Sequence, residues 1–167
     1  MLTRTGLRLA LFLVIVAMIG CDRVTKYVAT ETLAGRPTQS YLSDTVRIGH
    51  TENTGGFLSV GADLPLGART ALFTIGTGLI LVALVVVASR VPLSPWRGVG
   101  LALFVAGGTS NWIDRVMHGS VVDFLNIGVG WLRTGVFNVA DVAIMLGAGI
   151  FMLAELRRNR RGSTVSK

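Results

Sequence analysis

The stretch "TALFTIGTGLILVALVVVAS" (70–89) runs twenty residues without a charge. As a helix rising about 1.5 Å per residue it is long enough to cross a hydrocarbon layer of roughly 30 Å. Three shorter apolar runs accompany it: "LALFLVIVAMIGC" (9–21), "GVGLALFVAGGTSNWI" (98–113) and "VAIMLGAGIFMLA" (142–154). Each reaches spanning length only by taking in polar residues at one end. The predicted spans are about 7–27, 70–89, 98–113 and 138–156. The segment between the first two reads differently. "SYLSDTVRIGHTEN" alternates, with Val46 and Ile48 on one face, which predicts a short β-ribbon. "DLPLGA" predicts a turn into the second span. The expected architecture is an α-helical integral membrane protein of four transmembrane helices. It forms one domain over 1–167, with an outer cap over about 28–69.

Charge placement fixes a direction. Arg4, Arg8, Arg90, Arg97, Arg157, Arg158, Arg160, Arg161 and Lys167 lie on one side of the spans, with Glu155 as the only acid. The other seven basic residues share the opposite half with eight acids, so the net charge of +7 divides as about +8 and −1. The positive-inside rule puts the basic side, and with it both termini, in the cytoplasm. The basic balance is therefore topological, and a nucleic-acid partner is not expected. Composition agrees: charged residues are 15% of the 167, well under the roughly 25% of a soluble domain. One Cys and two His leave no ligand set with metal spacing, and no cofactor is expected. The start, "RTGLRLALFLVIVAMIGCD", also has the form of a lipoprotein signal peptide ending at Cys21. Three further spans argue against processing there, and Cys21 reads as a small apolar residue near a helix end.

Asp22, Lys26, Asn53, Asn111, Asp114, Arg115, Asp123, Asn138 and Asp141 all fall at the outer ends of spans or just beyond them. A charge at membrane depth costs roughly 2.5–3.5 kcal/mol even on the gentler scales, so such groups face a bundle interior or a wet cavity. Bland readings exist. Asn138 could be a plain N-cap, and Asp141 could be placed by the helix dipole. Asp22, Lys26 and Asp114 could be interfacial residues solvated by headgroups. His50 and His118 read as solvent-facing, Trp112 and Trp131 as interfacial anchors, and the glycines at 107–108 and 147–149 as sites of close helix approach. The sharper reading starts from Asp123 and Asp141. Two carboxyls close together in a poorly solvated site cannot both ionise, so the pair shares a proton. One member can then take a proton from an attacking water while the other donates to a carbonyl oxygen. Eighteen residues of separation do not establish that they meet. An ion or proton site in a small transporter, or a non-catalytic membrane scaffold, are the other classes to weigh. The cytoplasmic halves of spans two to four lack the polar groups a continuous path requires.

Five stretches in order resemble one family. "CDRVTKY", "ENTGG", "NWIDR", "VVDF" and "FNVAD" are similar to the sequence elements of the lipoprotein signal peptidases, or signal peptidase II, and the likeness covers roughly residues 7–156. The resemblance implies that Asp123 and Asp141 are the catalytic pair. It implies that Asp22, Lys26, Asn53, Gly55, Asn111, Arg115, Asn138 and Ala140 shape or support the site. It further implies four helices with a small outer β-sheet cradle and a short outer helix. The substrate would be a prolipoprotein whose lipobox Cys carries diacylglycerol, taken from among membrane lipids and cut just before that Cys. Globomycin would inhibit, and the site would lie near the outer face of the bacterial inner membrane. "GGFLS" departs from the family's common loop, with Phe57 one position early. Ser110 stands where a Gly is frequent and Trp112 where a Leu is; both departures read as packing.

Overall fold

A computed structural model describes residues 3–91 and 94–164. The side chains of Arg4, Arg160 and Arg161 and the whole of Lys167, counted above on the basic side, lie outside the described residues. Four long helices are present: Arg4–Leu33, Leu66–Arg90, Pro95–His118 and Val139–Thr164. Thr3 caps the first, its hydroxyl oxygen accepting from the Gly6 N–H at 3.1 Å. Pro95 opens the third, and Gly119, at φ 73, closes it in the left-handed conformation that ends many helices. The second helix is π-helical over Thr70–Gly76.

Two of the four are long and apolar enough to cross a membrane, Leu66–Arg90 with mean hydropathy 2.6 and Val139–Arg158 with 1.9. The molecule is apolar outside and polar within. Leu72, Ile75, Leu79, Ile80 and Val82 are more than half exposed. Asp22, Lys26, Asn111, Asp114, Asp123 and Asn138 are buried to 5% exposure or less. An apolar surface of this extent marks contact with another apolar phase.

Small residues let the third and fourth helices touch. A β-carbon on Gly100 would lie 2.7 Å from the Phe151 nitrogen, and one on Gly147 would lie 2.5 Å from the Phe104 nitrogen. Gly107 abuts the Ala140 carbonyl and Gly108 the Leu81 side chain, whereas Gly149 faces open space. The expected close approach therefore holds at 107, 108 and 147 and not at 149.

A four-stranded antiparallel sheet, in the order β1-β2-β3-β4, caps one end of the helices. Its strands are β1 (Gln39–Tyr41), β2 (Val46–Asn53), β3 (Val121–Val129) and β4 (Leu132–Arg133). Val46 pairs with Ile127, Ile48 with Leu125, Thr51 with Asp123 and Asn53 with Val121, with an irregularity between Ile48 and Thr51. The turn from β1 to β2 is left-handed at Leu42, Ser43 and Asp44. Arg47 bonds both Asp44 carboxylate oxygens, at 2.7 and 2.6 Å. That pairing, with the Ser40 hydroxyl, holds the Asp44 carboxyl well below the usual carboxylate range.

The first helix continues to Leu33 and the second starts at Leu66. One expectation is corrected. The short outer helix is reduced to one 3-10 turn, Phe57–Ser59. Leu58 (φ 54) and Ser59 (φ 63) are both left-handed, and consecutive L-residues in that region cannot continue a right-handed helix.

Candidate active site

The start of the fourth helix organises the site. Asn138 precedes the helix, and its side-chain oxygen accepts from the Asp141 N–H at 2.9 Å. Asp141 returns the bond, its carboxylate accepting from the Asn138 N–H at 3.1 Å. This is a reciprocal capping box built from Asn and Asp. The next free donor, the Ala140 N–H, is taken by the Asp22 carboxylate at 2.8 Å. Asp22 reaches it from the first helix. Two carboxylates thus satisfy amides that a helix start leaves open. Asn138 is the N-cap that the bland reading described, and it is also the hinge of the polar centre.

Its amide nitrogen donates outward to the Asp123 carboxylate at 2.7 Å and to the Asn111 side-chain oxygen at 3.1 Å. Asn111 in turn donates to Asp141 at 2.9 Å. Asn53 donates to the second oxygen of Asp123, also at 2.9 Å. Each oxygen of both carboxylates therefore receives one amide N–H, and Asn138 touches both groups. The chain brings them together through a β return. After β4 the segment runs back beside β3. Phe137 accepts from the Leu125 N–H at 2.9 Å and donates to the Leu125 carbonyl at 2.8 Å. Leu125 is two residues past Asp123, and Asp141 is four past Phe137.

Lys26, 3% exposed, is the cationic counterpart beneath. Its ammonium lies 2.7 Å from Asp22, 2.7 Å from Asp114 and 2.7 Å from the Asn111 oxygen. The contact with Asn111 is a hydrogen bond and the two with the carboxylates are ion pairs. Arg23 pairs with the other oxygen of Asp114. Arg115 donates to the Gly55 carbonyl at 2.6 Å, tying the loop after β2 to the third helix. In that loop the Asn53 side chain accepts from the Gly55 N–H at 2.9 Å and donates to the Gly56 carbonyl at 3.0 Å.

Asp123, Asp141, Asp22, Lys26, Asn53, Gly55, Asn111, Arg115, Asn138 and Ala140 are thus brought into one hydrogen-bonded cluster. Arg23, which the sequence reading does not single out, and Ser110 belong with them. Ser110, fully buried, donates to Asp22 at 2.7 Å, so a residue read as packing is part of the polar frame. Its signal was a hydroxyl one residue before Asn111, on a helix face already polar. The Trp112 indole N–H donates to the Thr74 carbonyl at 2.8 Å, linking the third helix to the π-helical stretch. Trp131 is 92% exposed at the tip of the β3–β4 hairpin, His118 is exposed as expected, and His50 is half-buried.

Burial dominates the electrostatics of the pair. Asp123, at the sheet and outside the helices, has its pKa pushed up to about 6. Loss of solvation is the main cause, partly offset by the Asn53 and Asn138 amides, and the negative charge of Asp141 adds to it.

The structure is a bundle of helices that turn apolar side chains outward, around a buried polar frame holding two carboxylates at one end. The family model described as signal peptidase (SPase) II matches residues 14–157. The lipoprotein signal peptidase of Citrobacter koseri is 32% identical over 152 residues, covering 91% of this chain and 92% of that protein. That of Streptococcus pneumoniae is 28% identical over 151 residues, covering 90% and 94%. A bacterial membrane enzyme solved by the in meso method at 2.3 Å superposes with a TM-score of 0.77 at 28% identity, covering 90% of this chain and 89% of the other. The chain belongs to the signal peptidase II family, whose members are membrane peptidases.

Proposed function

We propose that Asp123 and Asp141 are the catalytic carboxylates of this lipoprotein signal peptidase, working as an aspartyl pair that shares one proton. The observation that carries the reading is the amide frame. Asn138 bonds both groups, and Asn53 and Asn111 hold one oxygen of each. Each carboxylate oxygen keeps further accepting capacity for water or substrate. The ionised member takes a proton from a water as that water attacks the scissile carbonyl. The protonated member donates to the carbonyl oxygen, and the proton then passes to the leaving amine. The Asp22–Lys26–Asp114 cluster fixes the first helix against the start of the fourth, and so holds Asp141 in place.

The substrate in this reading is a prolipoprotein with a diacylglyceryl-modified lipobox Cys, cut immediately before that Cys. The four helices all span the inner membrane, both termini are cytoplasmic, and the sheet with the carboxylate pair lies at the outer face. The charge division favours this orientation. A lipid-bearing substrate enters sideways between the helices, at the depth where the pair sits. Globomycin, a ligand of the family, is expected to block the same site. A transporter reading has no comparable support. The test is cleavage of a diacylglyceryl-modified lipobox peptide by the purified protein. Cleavage immediately before the lipidated Cys, occurring equally with and without a chelator and suppressed by globomycin, is expected. Dependence on added metal would defeat the aspartyl mechanism.

The raised pKa of Asp123 sets a pH dependence. Losing its proton beside a charged Asp141 would leave a doubly ionised pair with no acid. In the free enzyme kcat/KM should therefore fall as pH rises through about 6. Substrate burial disfavours the second charge further, so the limb in kcat should sit at higher pH. For stability the sign is the same. A carboxyl whose folded pKa lies above its unfolded value of 3.8 costs stability as pH rises between the two. A kcat/KM profile flat from pH 5 to 8 would contradict the shared proton.

The loop after β2 lies over the pair, and Gly55 is its tight point. A β-carbon there would lie 2.6 Å from the Val60 carbonyl oxygen and 2.8 Å from the Ala62 nitrogen. Gly55→Ala should displace the loop, disturb the Arg115 and Asn53 contacts, and lower turnover by up to about 100-fold, the scale for a misplacement near 1 Å. Gly55 is buried, so the melting temperature should fall as well, and kcat is compared at a temperature where the variant stays folded. Unaltered kcat in Gly55→Ala would remove the loop from the mechanism.

A further inference from the structure

The end of the bundle opposite the carboxylate pair carries a feature that peptide cleavage leaves unused. Between the first, second and third helices lies a groove of about 560 Å³. Phe12, Ile15, Val85, Ala88, Leu101 and Val105 give it apolar walls. Its back is closed where the first and third helices meet: a β-carbon on Gly98 would lie 2.8 Å from Leu11 Cδ1. From Arg8 to Ile15 the wall is about 10 Å long at the helical rise. Arg8, near the start of the first helix, and Arg90, at the end of the second, line the groove at the same end, together with Ser89. Both arginines are exposed, and neither enters an ion pair among the described residues. Their neighbours on the same end differ. Arg97 and Arg158 both pair with Glu155, at 3.1 and 2.5 Å.

We propose that this groove binds an anionic phospholipid, with the phosphate between Arg8 and Arg90 and the upper part of one acyl chain along Phe12, Ile15, Val85 and Val105. The walls suit a hydrocarbon chain, and two unspent guanidiniums at the mouth suit a phosphate, which arginine can meet with paired N–H donors. The same charges argue against the substrate as occupant, because a signal peptide begins with a basic region that two arginines would repel. In the orientation proposed above the lipid belongs to the cytoplasmic leaflet, whose surface is anionic. From Arg8 at the mouth to Asp22 in the polar frame the first helix runs about 21 Å, so the headgroup contacts are separable from catalysis.

The experiment is native mass spectrometry of the full chain in neutral detergent, with phosphatidylglycerol or phosphatidylcholine of identical acyl chains added. Preferential retention of one phosphatidylglycerol is expected. The double substitution Arg8→Gln/Arg90→Gln should weaken it about 25-fold, from the roughly fivefold that one basic residue contributes at an anionic surface. Arg157→Gln, at the same end but outside this groove, should leave it unchanged. Ala88→Phe, which fills the groove from its wall, should weaken both lipids. Peptide cleavage by each variant serves as the check that it is folded. Equal retention of the two lipids by the wild type, an Arg157→Gln loss as large as the double variant's, unchanged binding in Ala88→Phe, or displacement of phosphatidylglycerol by a signal peptide would each overturn the proposal.

Discussion

Asp123→Asn and Asp141→Asn, each made alone, are expected to lower turnover of a lipidated lipobox peptide by about 10²–10⁴, the range for removing a general acid or base. Asn is nearly isosteric with Asp, so the substitution removes the proton chemistry with little change of shape. Each carboxylate oxygen accepts an N–H from Asn53, Asn111 or Asn138, so the new NH2 faces a donor where the oxygen accepted, at a cost of about 1–3 kcal/mol. The variants should insert and fold with some loss of stability, and globomycin binding measured alongside checks the site's shape. At Asp141 the capping box adds a structural component. Asn at that position still accepts from the Asn138 N–H, so its helix start should survive. Near-normal cleavage by either variant at matched expression would remove that residue from the chemistry.

Lys26→Met should be among the most destabilising single changes in the chain. Lys26 stands 2.7 Å from both Asp22 and Asp114, all three at 3% exposure or less. Removing the ammonium leaves two buried carboxylates, one of them still compensated by Arg23. Breaking a buried ion pair by deleting one partner costs about 3–5 kcal/mol. Asp22 would also press its charge on the start of the fourth helix, where it holds the Ala140 N–H. Thermal unfolding in detergent should show a large loss of stability. The double change Lys26→Met/Asp22→Asn, which neutralises the carboxylate that Arg23 does not reach, should recover part of it. If Lys26→Met unfolds at the wild-type temperature, the cluster is not the clamp between the first and fourth helices.

The helices were legible because apolar runs bounded by Arg, Pro and Gly leave little choice, and the polar residues were legible because they are costly at those positions. What spacing could not supply was contact. Asp123 and Asp141 come to share Asn138 because β4 turns the chain back and Phe137 pairs with Leu125, a sheet register that no local pattern encodes. The same residues also carried two readings at once. Asn138 is a helix cap and a bridge between carboxylates, so choosing between cap and site was a false choice. Ser110 and Trp112 were read as packing because each departs from the family's pattern by size. Their hydrogen bonds, to Asp22 and to the Thr74 carbonyl, depend on which helix lies opposite. The outer helix failed for a local reason. Gly55 has no room for a side chain, and the chain must turn left-handed at Leu58 and Ser59 to pass it.

The central claim is that Asp123 and Asp141 act as one unit on one proton. A double-mutant cycle on single-turnover cleavage measures this directly, comparing wild type, Asp123→Asn, Asp141→Asn and the double variant on the same lipidated peptide. Groups that act together lose nearly everything at the first removal. The double variant should therefore be no slower than the slower single variant. A double variant slowed by the product of the two single losses would mean two independent contributions, and would contradict the shared-proton pair.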